Sequence, residues 1–308
     1  MPELPSVEHS RCLLERTVLS HRIANILAVE DNIVFSEKPS ELENKLKSRQ
    51  IIGARRYGKY LWLVLSEGVS LLMHFGMTGF VQVQGVERLY YRTSSDKEIL
   101  QDVTQHTTAW PPRFWKLQLE TSDGCKVVFG DSRRLGHVKI LEQDPMSVPP
   151  ISKLGFDPII CMPDFSEEIF KRVTGRSVPL KTLLLDQSFA AGVGNWMADD
   201  VLLHARLHPE TRTNELSPEE VGQLLDSIKY ISVTAVGFDA DGSKYPPNWV
   251  FHCRWPSNRR MNANPTIDGH KVAFITVGGR TTVYVPDLQK KSPSLGRRQK
   301  EKRHKNKE

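Results

Sequence analysis

The stretch "LLLDQSFAAGVGNWMADDVLLHARLHP", residues 183–209, decides how the middle of this chain folds. Its two ends carry helical spacing of apolar residues, in "PLKTLLLDQ" and "GNWMADDVLLHARL", and between them lies a turn built on Gly192 and Gly194. Those glycines let backbone amides come close to a phosphate, and Asn195 opens a helix whose N-terminus favours anions. The same residues also suit a plain glycine turn with an Asn cap. Lys181, just upstream, is a candidate second cation for a phosphate at this turn.

The helical pattern extends on both sides, through "DFSEEIFKRVTG" before the stretch and "SPEEVGQLLDSIKYISVTAVG" after it. Ser217 followed by Glu220 is a capping-box signal for the start of the latter helix. Upstream the character changes. After a short helical pattern (Val7, Leu13, Leu14, Val18), the runs "RIANILAVE", "LWLVL", "SLLMHF", "FVQVQ", "FWKLQLE", "CKVVFG" and "HVKIL" read as β-strands separated by Gly, Asp and Ser turns. They predict an N-terminal β-sandwich or barrel over residues 1–141, interrupted by a loop insertion at about 85–112. The Pro-rich "QDPMSVPPISKLGFDP" marks a linker at 142–155, and the helical domain follows over 156–246. Residues 247–289, from "NWVFHCRW" to "KVAFITVGGRTTVYVP", return to strands around Gly278 and Gly279, as in a hairpin.

At 308 residues the chain is long enough for two cores, with 39% hydrophobic and 25% charged residues. No stretch approaches the roughly 20 apolar residues of a membrane span, and the start lacks the pattern of a secretory signal. Cys12, Cys125, Cys161 and Cys253 are scattered without a short CxxC pair, so neither a disulfide framework nor a metal site is expected. The net charge is +6, but residues 290–308 hold nine Lys/Arg against two Glu. Without this tail of +7 the rest is near neutral at −1. A polyanion would therefore be held by a local cluster, while the tail acts as a weak phosphate attractor or a nuclear address.

The N-terminal "MPELP" carries a different chemistry. Removal of Met1 would leave Pro2 as a secondary amine, with an α-amine pKa of about 7.7–8.0. Such an amine can attack an electrophilic sugar carbon and form an iminium, with Glu3 placed to move protons. Proline before a helix is also a common structural start. Lys59 follows Gly58 at the head of an apolar strand, and Met77 stands between Gly76 and Gly79 in "HFGMTG", an exposed apolar wedge. In "GDSRRLGH" the adjacent Arg133 and Arg134 allow one guanidinium to enter a duplex while the other holds a phosphate. Arg280 in "VGGRTTVYVP" is a further phosphate candidate.

Taken in order, "MPELP", "RRYGKYLWL", "HFGMTG", "DSRRLG", "LLLDQ", "GVGNWMAD", "LHP" and "GGRTTVYVP" resemble the formamidopyrimidine-DNA glycosylase and endonuclease VIII family over nearly the whole chain to about Gln289. The resemblance implies an α+β fold: an N-terminal β-sandwich flanked by a helix, a helix-two-turn-helix domain and a C-terminal hairpin. Because that region lacks the zinc-ligand cysteines, it is similar to the zincless finger of plant and fungal members. Pro2 would be the nucleophile on the sugar C1′, Glu3 the acid/base, and Lys59, Asn195 and Arg280 phosphate clamps. Met77 and Arg133 would fill the space left by a flipped nucleotide, which costs a few kcal/mol to extrude. The implied activity is a bifunctional glycosylase and abasic-site lyase acting on double-stranded DNA as a monomer, without a cofactor and off the membrane.

Leu4 resembles the formamidopyrimidine branch, favouring oxidised purines; zincless relatives handle 8-oxoguanine poorly, so formamidopyrimidines and hydantoins are the expected substrates. Four positions depart from the family pattern. Ser6 stands for a Glu near the reacting centre, Leu135 for a Phe that stacks at the void, and Asp200 for a supporting helix Glu; zinc-ligand cysteines are absent. Two other readings stay open. One is a non-catalytic damaged-DNA-binding relative, against which Pro2, Glu3 and Lys59 speak. The other is a glycosylase for oxidised pyrimidines, against which Leu4 speaks. A free Pro2 argues against an amino-terminal targeting peptide, and the tail points to the nucleus.

Overall fold

The computed structural model describes residues 2–86, 110–255 and 265–291. Most of the expected insertion, at 87–109, and the tail from 292 lie outside the described residues. Two compact units emerge, Met1–Asp157 together with Ala235–Lys244, and Pro158–Thr234 together with Tyr245–Glu308. The segment 235–244 therefore clusters with the first unit, although its place in the sequence suggests the helical domain.

In the first unit, helix α1 (Leu4–Val18) has Pro5 in its first turn, where a missing N–H costs no hydrogen bond. Leu4, Val7, Leu13, Leu14 and Val18 form its buried stripe. Strand β1 (Ile23–Ala28) is followed by a short helix α2 (Pro39–Leu46), then β2 (Ile51–Tyr57), β3 (Tyr60–Leu65), β4 (Ser70–His74), β5 (Phe80–Val83), β6 (Trp115–Thr121), β7 (Lys126–Gly130) and β8 (His137–Leu141). They form two antiparallel four-stranded sheets, β1-β6-β7-β5 and β2-β3-β4-β8. Alternate residues of both sheets, including Leu61, Leu63, Leu71, Met73, Leu117, Val127 and Phe129, share one buried core with α1. Each such side chain contributes about 1.5–3 kcal/mol by leaving water, so the expected sandwich is what closes that core. Helix α2 carries no helical signal beyond Leu42 and Leu46, the two residues it buries.

In the second unit, α3 (Glu167–Thr174) is capped by Ser166, whose hydroxyl accepts from the Ile169 amide at 3.2 Å. Helices α4 (Leu180–Leu185) and α5 (Asn195–His204) flank the glycine turn. The long α6 (Pro218–Gly237) starts on the expected capping box: the Glu220 amide donates to Ser217 Oγ at 3.2 Å, and the Ser217 amide to Glu220 Oε2 at 2.8 Å. "NWVFHCRW" departs from its strand reading, because Val250–Cys253 forms a 3₁₀ turn. Val250 and Phe251 are both buried there. Phe251 stands edge-on to Trp196 at 5.1 Å and to Tyr245 at 4.9 Å, and this ring cluster holds the turn.

Two small hairpins end the described chain, β9 (Thr266–Ile267) with β10 (His270–Lys271), and β11 (Ala273–Val277) with β12 (Arg280–Tyr284). Gly278 and Gly279 have φ of +57° and +72°, the left-handed pair that a two-residue hairpin turn demands. The register pairs Val277 with Arg280, so Arg280 is the first residue of β12 rather than part of the turn.

Candidate active site

Pro2 and Glu3 are buried at the start of α1, where Glu3 is only 1% exposed and its carbonyl accepts from the Ser6 and Val7 amides. Ser6 is buried in that same first turn. The helix is tied to the Lys59 turn by a chain of charges. Glu8 accepts from Arg56 Nε at 2.8 Å, and Arg56 closes on Asp157 at 2.5 and 3.2 Å. Asp157 in turn takes the Gly58 amide at 2.7 Å, while Arg56 donates to the Gly58 carbonyl at 3.0 Å. Glu8 thus anchors the β2–β3 turn. Burial opposes its charge, but the Arg56 and Arg11 hydrogen bonds hold its carboxyl below the usual carboxylate range.

Lys59 sits in that turn beside Gly58, whose φ is +57°. Across the sheet, His74 pairs with Tyr60, ring on ring at 4.6 Å. Burial, then the charges of Lys59 and His137, push the His74 imidazole down to about 4, so it is neutral at physiological pH beside the lysine. The sequence reading passed over this histidine.

The structure brings Met77 and Arg133 together: Arg133 Nη1 lies 3.5 Å from Met77 Sδ. The hub of these two loops is Asp131, 1% exposed. Its carboxylate accepts from Thr78 Oγ1 at 2.5 Å and from the amides of Arg133, Leu135 and Gly136 at 3.0, 2.7 and 2.6 Å. Burial works against the ionised form, but these donors hold the carboxyl below its ordinary range. Gly76 has φ +55°, and a Cβ there would meet the Leu135 carbonyl oxygen at 2.3 Å; only glycine lets the two loops touch. Leu135 remains 41% exposed beside the pair.

Arg134 is placed differently from expectation. Its Nε and Nη2 close on Asp31 at 3.0 and 2.9 Å, so its guanidinium is ion-paired while its side chain stays 46% exposed. Asp31 is buried and also takes Lys116 at 2.9 Å, and these bonds outweigh burial to keep its carboxyl well below the usual range.

In the second unit the corrections are sharper. Lys181 has no exposed surface: its ammonium rests on Asp199 Oδ1 and the Asn195 carbonyl, both at 2.5 Å, so the expected phosphate contact gives way to a buried ion pair. The Gly192 amide is likewise committed, donating to Gln187 Oε1 at 3.0 Å while the Gln187 amide group bonds Val193 O at 2.8 Å. Asn195 is the first helical residue after Gly194, not a cap, and its buried Oδ1 accepts no hydrogen bond among the described residues. Asp199 also takes Arg254, whose other nitrogen donates to the Thr281 carbonyl at 3.0 Å, next to the exposed Arg280. The hairpin turn lies against α4, since a Cβ on Gly278 would come within 2.8 Å of Thr182 Oγ1. One buried carboxylate therefore fixes both Asn195 and the Arg280 hairpin. Asp200 is buried as well, with Oδ1 3.4 Å from the Phe251 amide.

Asp131 and Asp199 escaped the sequence reading. The first had a usable signal, an Asp opening a turn of consecutive free amides. The second had only its place in an apolar helix, where an acid requires a partner. Among the described residues no group of three His, Cys, Asp or Glu could hold a metal. Cys253 is buried beside Asp200, which together push its thiol up to about 11.

Residues 1–138 match the formamidopyrimidine-DNA glycosylase N-terminal domain, 154–246 its H2TH domain and 249–286 the formamidopyrimidine-DNA glycosylase-like C-terminal domain. The formamidopyrimidine-DNA glycosylase of Arabidopsis thaliana is 38% identical over 94% of this chain and 71% of its own length. The Pelotomaculum thermopropionicum protein of the same name is 31% identical over 94% of this chain and 99% of its own. The chain belongs to the formamidopyrimidine-DNA glycosylase family. Its fold is similar to that of the Lactococcus lactis family member in complex with DNA containing N7-benzyl-Fapy-dG, with a TM-score of 0.72 and 25% identity over 94% of this chain and 100% of that one. A complex of the same bacterial protein with abasic-site DNA gives 0.71 at 25% identity, covering 94% and 100%. Within the family frame, the N-terminal domain match spans Pro2, Glu3, Lys59, Met77 and Arg133, the H2TH match spans Asn195, and the C-terminal match spans Arg280.

Proposed function

We propose that this chain is a DNA glycosylase of base-excision repair that removes oxidised purines from double-stranded DNA and then cuts the strand as an abasic-site lyase. The observation that carries this reading is the buried Glu3 beside Pro2 at the start of a helix anchored by Glu8, Arg56 and Asp157. A carboxylate shielded from bulk water exchanges its proton with the substrate rather than with solvent. Once Met1 is removed, the Pro2 nitrogen bonds to C1′ as the base departs with the glycosidic electron pair, and the N–H proton that Pro2 gives up neutralises the departing base. Glu3 delivers a proton to the ring oxygen as the C1′–O4′ bond opens, leaving an iminium. Loss of a C2′ proton then expels the 3′ phosphate, and a second elimination expels the 5′ phosphate. Met77 and Arg133 occupy the position of the extruded nucleotide, while Lys59, Asn195 and Arg280 hold phosphates around it.

Formamidopyrimidines and hydantoins are the favoured lesions over 8-oxoguanine. A panel of duplexes carrying each lesion, and an oxidised pyrimidine, tests this by strand cleavage at matched enzyme concentration. Faster cleavage at the oxidised pyrimidine would remove the purine assignment; no cleavage at any lesion or at an abasic site would favour a non-catalytic binder. The site of action proposed is the nucleus, addressed by the basic residues 290–308. A carboxy-terminal fluorescent fusion should lose nuclear enrichment when that tail is deleted, and unchanged enrichment would count against the address.

A further inference from the structure

Phe114 is the only aromatic among the described non-glycine residues at positive φ, at +66°. A bulky side chain in this region is strained and persists only where its surroundings impose it, as they do at binding sites. The imposing contact is visible: the Asp131 amide donates to the Phe114 carbonyl at 3.0 Å, and the next residue, Trp115, pairs with Gly130 across β6 and β7. Asp131 is the same residue whose carboxylate gathers Thr78, Arg133, Leu135 and Gly136. Phe114 is therefore mounted on the anchor of the Met77 and Arg133 loops.

The strain does not serve the core. Phe114 is 46% exposed, and the Arg113 guanidinium lies over its ring at 4.6 Å. Holding an apolar ring in water contributes nothing to folding, whereas base stacking on such rings is favourable and tolerant of sequence. Met77, Arg133 and Leu135 include no aromatic ring, and Phe114 brings one to the same loop cluster.

We propose that Phe114 is a further DNA-contacting residue, its ring stacking on a base beside the position that the extruded nucleotide vacates. This rests on the glycosylase reading above. Phe114→Gly removes the ring yet suits the left-handed backbone, so the melting temperature should stay close to that of the parent protein. Binding of the full chain is compared on a duplex with a tetrahydrofuran abasic analogue and on the intact duplex, at one salt concentration. Phe114→Gly should bind the abasic duplex roughly tenfold more weakly, ~1.4 kcal/mol, with the intact duplex unchanged because phosphate contacts dominate there. Phe114→Tyr should keep the parent affinity. Equal affinity of Phe114→Gly and parent for the abasic duplex, or an equal loss on both duplexes, would overturn the stacking role. If the parent itself does not distinguish the two duplexes, the glycosylase reading fails and the proposal with it.

Discussion

On the proposed mechanism, extending the chain by even a few residues before Pro2 should abolish the covalent adduct that borohydride is expected to trap between the untagged protein and abasic-site DNA. The reason is electronic. A free secondary amine with a pKa near 8 has a lone pair available at neutral pH, whereas an amide nitrogen has delocalised it and cannot become an iminium. The effect is therefore a loss below detection rather than a graded decrease. Glu3→Gln separates the two halves of the mechanism. It should keep an adduct on abasic sites already present, because Pro2 is intact, but lower excision of a damaged base by about 10²–10⁴-fold, the range for a positioned acid or base. Trapping by the extended chain at the level of the untagged one would require a different nucleophile and would remove Pro2 from the reaction.

The second large effect is on stability. Asp199→Ala takes away the carboxylate that both Lys181, fully buried, and Arg254, 8% exposed, pair with in the second unit. Breaking such a buried set from one side costs about 3–5 kcal/mol, which for a unit of this size lowers the melting temperature by roughly 10 °C. Thermal unfolding by circular dichroism reads this directly. Replacing the whole set by apolar residues (Lys181→Met with Asp199→Leu and Arg254→Met) should recover most of the stability, since buried ion sets are seldom better than well-packed hydrophobes. DNA affinity should stay low in the recovered protein, because Lys181 no longer holds the Asn195 carbonyl and Arg254 no longer holds Thr281 beside Arg280. A recovered protein with parental affinity would show that the ion set serves folding alone.

These expectations differ in how far the sequence could support them. Pro2, Glu3, Lys59, Met77 and Arg133 stood out as candidates because each lies in a short turn or terminus marked by glycine or proline, and Arg280 because it follows a glycine turn; such positions depend on local backbone chemistry. The strands and long helices were legible for a related reason: periods of 2 and 3.6 report one buried face without knowledge of what covers it. Helix α2 and the 3₁₀ turn at Val250–Cys253 were not, since two leucines or a ring cluster make no period.

Lys181 shows the boundary most clearly. By sequence it is a cation beside a phosphate-friendly turn, and in the folded unit it is a buried counter-ion to Asp199. Likewise Arg134 reads as a free basic residue until Asp31, 103 positions away, claims its guanidinium. Asp157 meets Arg56 across 101 positions, and Asp199 meets Arg254 across 55. Most strands and long helices, and their order, could be read from the chain because these follow from local dihedral preferences and one-sided burial; α2 and the Val250–Cys253 turn could not. Only the tertiary structure decided which charges face outward and which are spent internally. A charge is tolerated inside when a partner arrives from a distant segment, and no local pattern records that arrival.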